Sequence, residues 1–298
     1  MTEHVVVAVD GGPASAAALD WVVDRARTVE MRLEITTVVD IDWFPQPNPD
    51  PVLAEYERIV DEAGKRVVFS HVPVDVSTTL HHARPVPGIV DASRRADLLV
   101  IGSHKTRGLS GIVNGTLPLA VAARTQCPLV VVPVDWAPGD GPVVVGVDDE
   151  TGHAAMAFAA GESVRADAPL LAVRAWEIPP LVSGAWAALE AGQDEFEAAE
   201  RTLLDTEVER MRQADERVQV EAVLEHGRPS IVLARRAASA RLTVVGTHGR
   251  GALAGLLLGS VGHDLLMNMP SPIAIVPDRA RAGHGTVEEV STSETPRA

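Results

Sequence analysis

The 298-residue chain has a single cysteine, Cys127. No intrachain disulfide can form, which suits a reducing compartment. Cys127 stands beside Pro128 at the start of an apolar run, a place for a buried, inert thiol. Aromatic residues make up only 3% of the chain, so its 46% hydrophobic content implies cores of alanine, valine and leucine. Basic residues are also short: 26 Lys and Arg face 41 Asp and Glu, for a formal net charge of −15. That balance excludes duplex DNA or an anionic membrane as the main partner, because phosphate contact needs a basic surface. Only a local basic patch is left open. No uninterrupted apolar run reaches the ~18 residues of a membrane span. The amino terminus enters a strand-like run without a signal-peptide core. A cytoplasmic protein is expected.

Several chemical motifs are missing too. There is no G-x-x-x-x-G-K-[S/T] phosphate loop and no G-x-S-x-G nucleophile elbow. Gly249 to Gly255 is one residue too long for G-x-G-x-x-G, and it follows the fourth strand rather than the first. His81-His82 lacks a partner at metal-ligand spacing, so no metal site is expected.

What is present occurs twice. Gly246-Thr-His-Gly249, nine residues, then Gly259-Ser260 follows the apolar run Leu242–Val245 and precedes a helix-like run. Glycine lets backbone N–H groups approach an anion closely, and a helix start adds unpaired donors and the positive dipole end. Gly102-Ser-His-Lys105, nine residues, then Gly115-Thr116 aligns with it without a gap. Cys127-Pro-Leu-Val-Val-Val-Pro133 lies over Ser271-Pro-Ile-Ala-Ile-Val-Pro277, and Val5–Asp10 over Val143–Asp148. Two copies of domain size result, residues 1–137 and 138–278, with a turn-rich linker at 135–142. Residues 279–298 are polar and read as a disordered tail.

Each copy reads as alternating strands and helices. In the first, strands are expected at Val5–Val9, Leu33–Val39, Val72–Val76, Leu98–Ile101 and Leu129–Val132. Helices are expected from Pro13 and over Val52–Val67, Ile89–Ala96 and Leu117–Arg124. Between them, residues 44–51 carry a proline at every second position and read as a stiff loop. The second copy adds a charged helix over Asp194–Asp215. The alternation implies parallel pairing with right-handed crossovers, hence an α/β fold of two five-stranded, doubly wound, Rossmann-like sheets. Ligands of such sheets sit beyond the carboxyl ends of the strands, where the winding reverses. There Asp10 or Asp148 would meet the glycine loop, and an acidic group beside a phosphate cradle holds ribose hydroxyls or Mg²⁺. Alternatively, Asp10 and Asp148 merely cap the next helix. The final strands, Leu129–Val132 and Ile273–Val276, would be bare edges unless paired with each other in a pseudo-two-fold arrangement.

At these residues the chain resembles the universal stress protein family, as a tandem member. The strand ending in Asp10 or Asp148, the G-x-x-G-x9-G-[S/T] loop and the closing Pro-apolar-Val-Pro strand carry the resemblance. It implies ATP binding, with the loop on phosphates and ribose, the aspartate near the adenosine, and a second-strand apolar residue on adenine. Carried over, the first site comprises Ala8, Asp10, Val39, Gly102, Ser103, His104, Lys105, Arg107, Gly108, Gly115, Thr116 and Leu117. The second comprises Gly146, Asp148, Ala175, Gly246, Thr247, His248, Gly249, Arg250, Gly251, Gly259, Ser260 and Val261. Lys105 departs from the pattern, standing where the second copy has Gly249. The resemblance implies a stress-response regulator that acts by binding nucleotide, with no catalytic residues. Alternatives are a weak ATPase or nucleotidyl transferase of the same α/β type, or a ligand-free scaffold. An intrachain pseudo-dimer is implied, and a homodimer of whole chains stays open, as does the regulatory partner.

Overall fold

A computed structural model describes residues 2–40, 50–104, 117–148, 153–177, 186–247 and 258–277. The expected disordered tail and most of the proline-rich loop lie outside these residues. The first half runs β1 (Glu3–Ala8), α1 (Pro13–Arg25), β2 (Met31–Val39), α2 (Asp50–Phe69), β3 (Asp75–His82), α3 (Pro85–Ala92), a 3₁₀ turn (Ser93–Arg95), β4 (Leu98–Ser103), α4 (Leu117–Ala122) and β5 (Leu129–Pro133). The second runs β6 (Val143–Gly146), α5 (His153–Arg165), β7 (Leu170–Trp176), α6 (Trp186–Ala214), β8 (Val220–His226), α7 (Pro229–Ala237), β9 (Leu242–Gly246), α8 (Ser260–Asn268) and β10 (Ile273–Val276).

All ten strands join one sheet in the order β3-β2-β1-β4-β5-β10-β9-β6-β7-β8. Within each half every pairing is parallel. The winding reverses between β1 and β4, and again between β6 and β9. The central strands are continuous apolar runs because both faces are covered. Val5 and Val7 enter the core on the α1 and α5 side, and Val6 enters the opposite core, all without solvent exposure. Burying each such side chain contributes ~1.5–3 kcal/mol.

The two halves meet at β5 and β10, which pair antiparallel with Val131 opposite Ile273 and Leu129 opposite Ile275. The two apolar edges therefore cover each other. Either half expressed alone is expected to homodimerise or aggregate through this strand, while the full chain stays soluble unaided. Sedimentation of the isolated halves checks this. A half that remains monomeric at high concentration with normal stability would remove the strand's role.

A buried ionic cluster also joins the halves. Arg25, at the end of α1, donates both to Glu3 of β1 (2.9 and 3.0 Å) and across to Glu162 of α5. Arg165 donates to the other Glu162 oxygen at 2.5 Å. Burial opposes the charge on Arg25, but Glu162 and Glu3 outweigh it and hold the guanidinium above its ordinary value.

Some boundaries differ from the sequence reading. The third strand is Asp75–His82 rather than Val72–Val76. Pro73 cannot donate to a ladder, and the Val74 N–H turns back onto the Val72 carbonyl at 2.9 Å. The strand proper is a polar, threonine-containing edge paired with β2, which apolar content could not reveal. The helix expected over Ile89–Ala96 starts earlier, at Pro85, and tightens to a 3₁₀ turn after Ala92. The charged helix of the second half starts at Trp186 rather than Asp194.

Candidate functional site

The carboxyl ends of β1 and β4 lie side by side, and so do those of β6 and β9. In the first half the Val9 N–H donates to Thr36 (2.8 Å), and the chain then leaves the sheet at Asp10. One Asp10 oxygen, Oδ1, accepts the Gly12 N–H at 2.8 Å and the Ser15 hydroxyl at 2.7 Å. This bridge orients the start of α1, although Asp10 does not cap it: the N-cap is Gly12, which has no side-chain cap hydrogen bond. Gly11 takes φ +78° inside it, a conformation that favours glycine. Asp10 is nonetheless exposed, and among the described residues Oδ2 accepts nothing. The carboxylate holds the turn with one oxygen and offers the other outward.

Gly102 stands on β4 directly under α1. A Cβ there would lie 2.1 Å from the Ala14 carbonyl oxygen. Its lack of a side chain is therefore required by packing, whatever the loop binds. Ser103 is buried and His104 exposed. Ala8 is a half-buried strand residue, and Leu117 opens α4 packed on the core. Lys105, Arg107, Gly108, Gly115 and Thr116 lie outside the described residues.

The second half gives the fuller picture of the loop. Gly246 pairs with Val276, and the Thr247 N–H donates to Val276 at 3.2 Å. The Gly259 N–H then donates to the Thr247 carbonyl at 2.8 Å. The loop's exit thus closes onto its entrance, setting the amino terminus of α8 at the end of β9. Gly259 is the N-cap, with φ −65° and ψ 160°, and has no side chain with which to cap the first-turn amides. Positive φ is therefore not the reason for glycine at this position. Ser260 is exposed, Val261 packs on the core, and Asp148 is half-buried beside half-buried Gly146. His248, Gly249, Arg250 and Gly251 lie outside the described residues.

The register revises one pairing. The Val9 N–H bonds Thr36 and the Val147 N–H bonds Val173; likewise Ala83 bonds Val39 and Gly227 bonds Trp176. Val39 therefore corresponds to Trp176, and Ala175 to Val38. A one-residue slip along a strand exchanges its faces, so Val39 and Ala175 point to opposite sides of the sheet. Val39 is fully buried, and Ala175 packs on the α7 and α8 side.

The sequence reading missed Trp176 and the Arg174–Glu200 pair here. Trp176 packs against Phe196 (5.8 Å between ring centroids) and edge-on against His226 (4.7 Å). Arg174, buried in β7, pairs with buried Glu200 of α6 and donates to the Val147 carbonyl at 3.4 Å, one residue before Asp148. The available signal was a charge inside an otherwise apolar strand, which demands a buried partner. Its first-half counterpart is Thr37, so the two ends differ chemically. Cys127 is buried and its thiol is pushed up by desolvation, which keeps it protonated and unreactive. Among the described residues no cluster could hold a metal ion, and no helix is long and apolar enough to cross a membrane.

Comparison with known proteins agrees with this architecture. The model of the universal stress protein family matches residues 1–133 and again 141–277. The chain belongs to this family and carries two of its domains in tandem. It is 34% identical over 289 residues to universal stress protein Rv2005c of Mycobacterium tuberculosis, covering 91% of this chain and 96% of the relative. Universal stress protein Rv2623 of the same species is 28% identical over 292 residues, with 91% and 95% covered. Among solved structures, a universal stress protein from Archaeoglobus fulgidus superposes with a TM-score of 0.69 at 17% identity, covering 92% of this chain and 98% of its own.

Proposed function

We propose that the chain is an ATP-binding stress-response regulator with one nucleotide site at the strand ends of each half, acting by binding rather than catalysis. The observation that carries this reading is the closure of Gly259 onto Thr247, which sets the first turn of α8 at the end of β9, the strand next to β6 and its Asp148. Unpaired N–H donors and a positive dipole end suit phosphate. A carboxylate one strand away suits ribose hydroxyls. Mg²⁺ bound with the nucleotide would neutralise phosphate charge; Asp10 and Asp148 are the residues that would hold it. The residue types gathered here position a ligand.

The direct test is to denature purified full-length protein, assay the released nucleotide, and then measure turnover. Intact ATP is expected. Steady production of ADP or AMP would favour an enzyme, and absence of nucleotide a scaffold.

Gly259→Ala is expected to weaken ATP binding in the second half, because a Cβ intrudes where backbone must approach phosphate. Unchanged affinity by calorimetry would sink the phosphate-loop assignment. The two sites are also expected to bind unequally, since Lys105 replaces the glycine found at 249. Titration should resolve two steps or an occupancy near one, and Lys105→Gly should draw the steps together. Two identical sites in the native chain would refute this.

A further inference from the structure

One surface of the first half remains unused by this reading. On the sheet face that carries α3, a groove of about 440 Å³ is lined by His4, Arg32, Glu34, Ser77, His81, Asp91, Ala92, Arg94 and Arg95. It begins at the amino ends of β1 and β2, whereas the glycine loops leave the carboxyl ends. Its volume lies within the usual ~300–1,000 Å³ of small-molecule sites.

The charges in this groove do not cancel. Arg94 donates to Asp91 at 2.8 Å. His4 holds its Nδ1 3.1 Å from the Arg95 carbonyl and its Nε2 3.3 Å from Glu34. Both His4 ring nitrogens and Glu34 are thus engaged with one another or with backbone inside the groove. Arg32 and Arg95 then remain without an acidic partner among the described residues. The His81 Nε2 is buried with no hydrogen-bond partner, 4.0 Å from Glu34. Two unpaired guanidinium groups, an orphan ring nitrogen and the Ser77 hydroxyl thus face one groove on a chain of net charge −15.

The second half serves as an internal control. By strand register, the counterparts of His4, Arg32, Glu34, Ser77 and His81 are Pro142, Pro169, Leu171, Glu221 and Glu225. There Glu225 is already bridged by Arg235 and Arg236. The fold does not need the basic groove, because its twin lacks it.

We propose that this groove is a second ligand site, specific to the first half, for a small molecule bearing a phosphate group. Arg32 and Arg95 grip the phosphate oxygens, and the Ser77 hydroxyl and the His81 ring supply further hydrogen-bonding groups. The site is independent of the nucleotide reading, and the Arg32, Arg95 and His81 variants distinguish it from the strand-end sites. Full-length protein is titrated with inorganic phosphate and, separately, with glycerol 3-phosphate. Heat is recorded along with the ring-proton signals of His4 and His81. Binding at millimolar concentration or tighter is expected, with both signals moving. Equal affinities identify free phosphate as the ligand, and tighter binding of the ester identifies a phosphomonoester. The Arg32→Ser/Arg95→Ser variant should keep its melting temperature and lose affinity roughly tenfold or more. His81→Phe, which keeps a ring but removes the nitrogen, should also weaken binding. No heat and no histidine shift with either probe would overturn the proposal. Undiminished affinity in both variants would do the same.

Discussion

Replacing Arg25 by alanine is expected to destabilise the folded chain by about 3–5 kcal/mol, because the Glu162 and Glu3 carboxylates lose their common partner while staying out of water. The Arg25 side chain is 5% exposed, Glu162 7% and Glu3 14%. No surface discount applies to so enclosed a group. The cluster ties α1 of one half to α5 of the other, so the loss should appear as weakened cooperation between the halves. Urea unfolding followed by two probes, one in each half, measures it. Removing all three charges, as Arg25→Met with Glu162→Met and Glu3→Met, should recover much of the loss, since apolar replacements of similar volume are often neutral. A single-variant cost below about 1 kcal/mol would place the cluster among weak surface pairs. The sign of the pH effect follows from the raised guanidinium. Arg25 contributes its full stability below its unfolded value, and that share is lost only as the pH rises through the still higher folded value. No change near neutrality is expected from Arg25.

Gly102→Ala should cost about 1–3 kcal/mol or more by overpacking, and it should lower nucleotide affinity in the first half. The new Cβ would stand 2.1 Å from the Ala14 carbonyl oxygen and 2.3 Å from its carbon, both backbone atoms that cannot rotate aside. Helix α1 must therefore move off β4. It would carry with it the bridge of Asp10, Gly12 and Ser15 that sets the Asp10 carboxylate. Gly146→Ala is the contrasting case. Its first neighbour is the Leu233 Cδ1 at 3.0 Å, the far end of a flexible side chain. A small loss is expected there. Equal melting temperatures for the two variants would show that α1 does not rest on Gly102 as described.

The sequence by itself determined the repeat, the α/β alternation and the family. Continuous runs such as Val5–Val9 and Leu129–Val132 read as two-faced buried strands, and the paired glycine loops mark the carboxyl end of the fourth strand of each copy. Local pattern suffices there, because burial on both faces leaves its mark residue by residue. Tertiary structure decided the rest. Strand β3 is a polar edge, so its Asp75–His82 span became visible only through its ladder with β2. The correspondence of Val39 with Trp176 needed hydrogen bonds, because a slip of one residue changes the face but hardly changes the pattern. Gly102 looked like a loop glycine, and only packing against Ala14 gave it a structural reason. The Arg25 cluster joins residues 137 positions apart, and the basic groove gathers side chains from β1, β2, β3 and the turn after α3. Neither has a spacing to read, because each exists only where distant segments fold side by side.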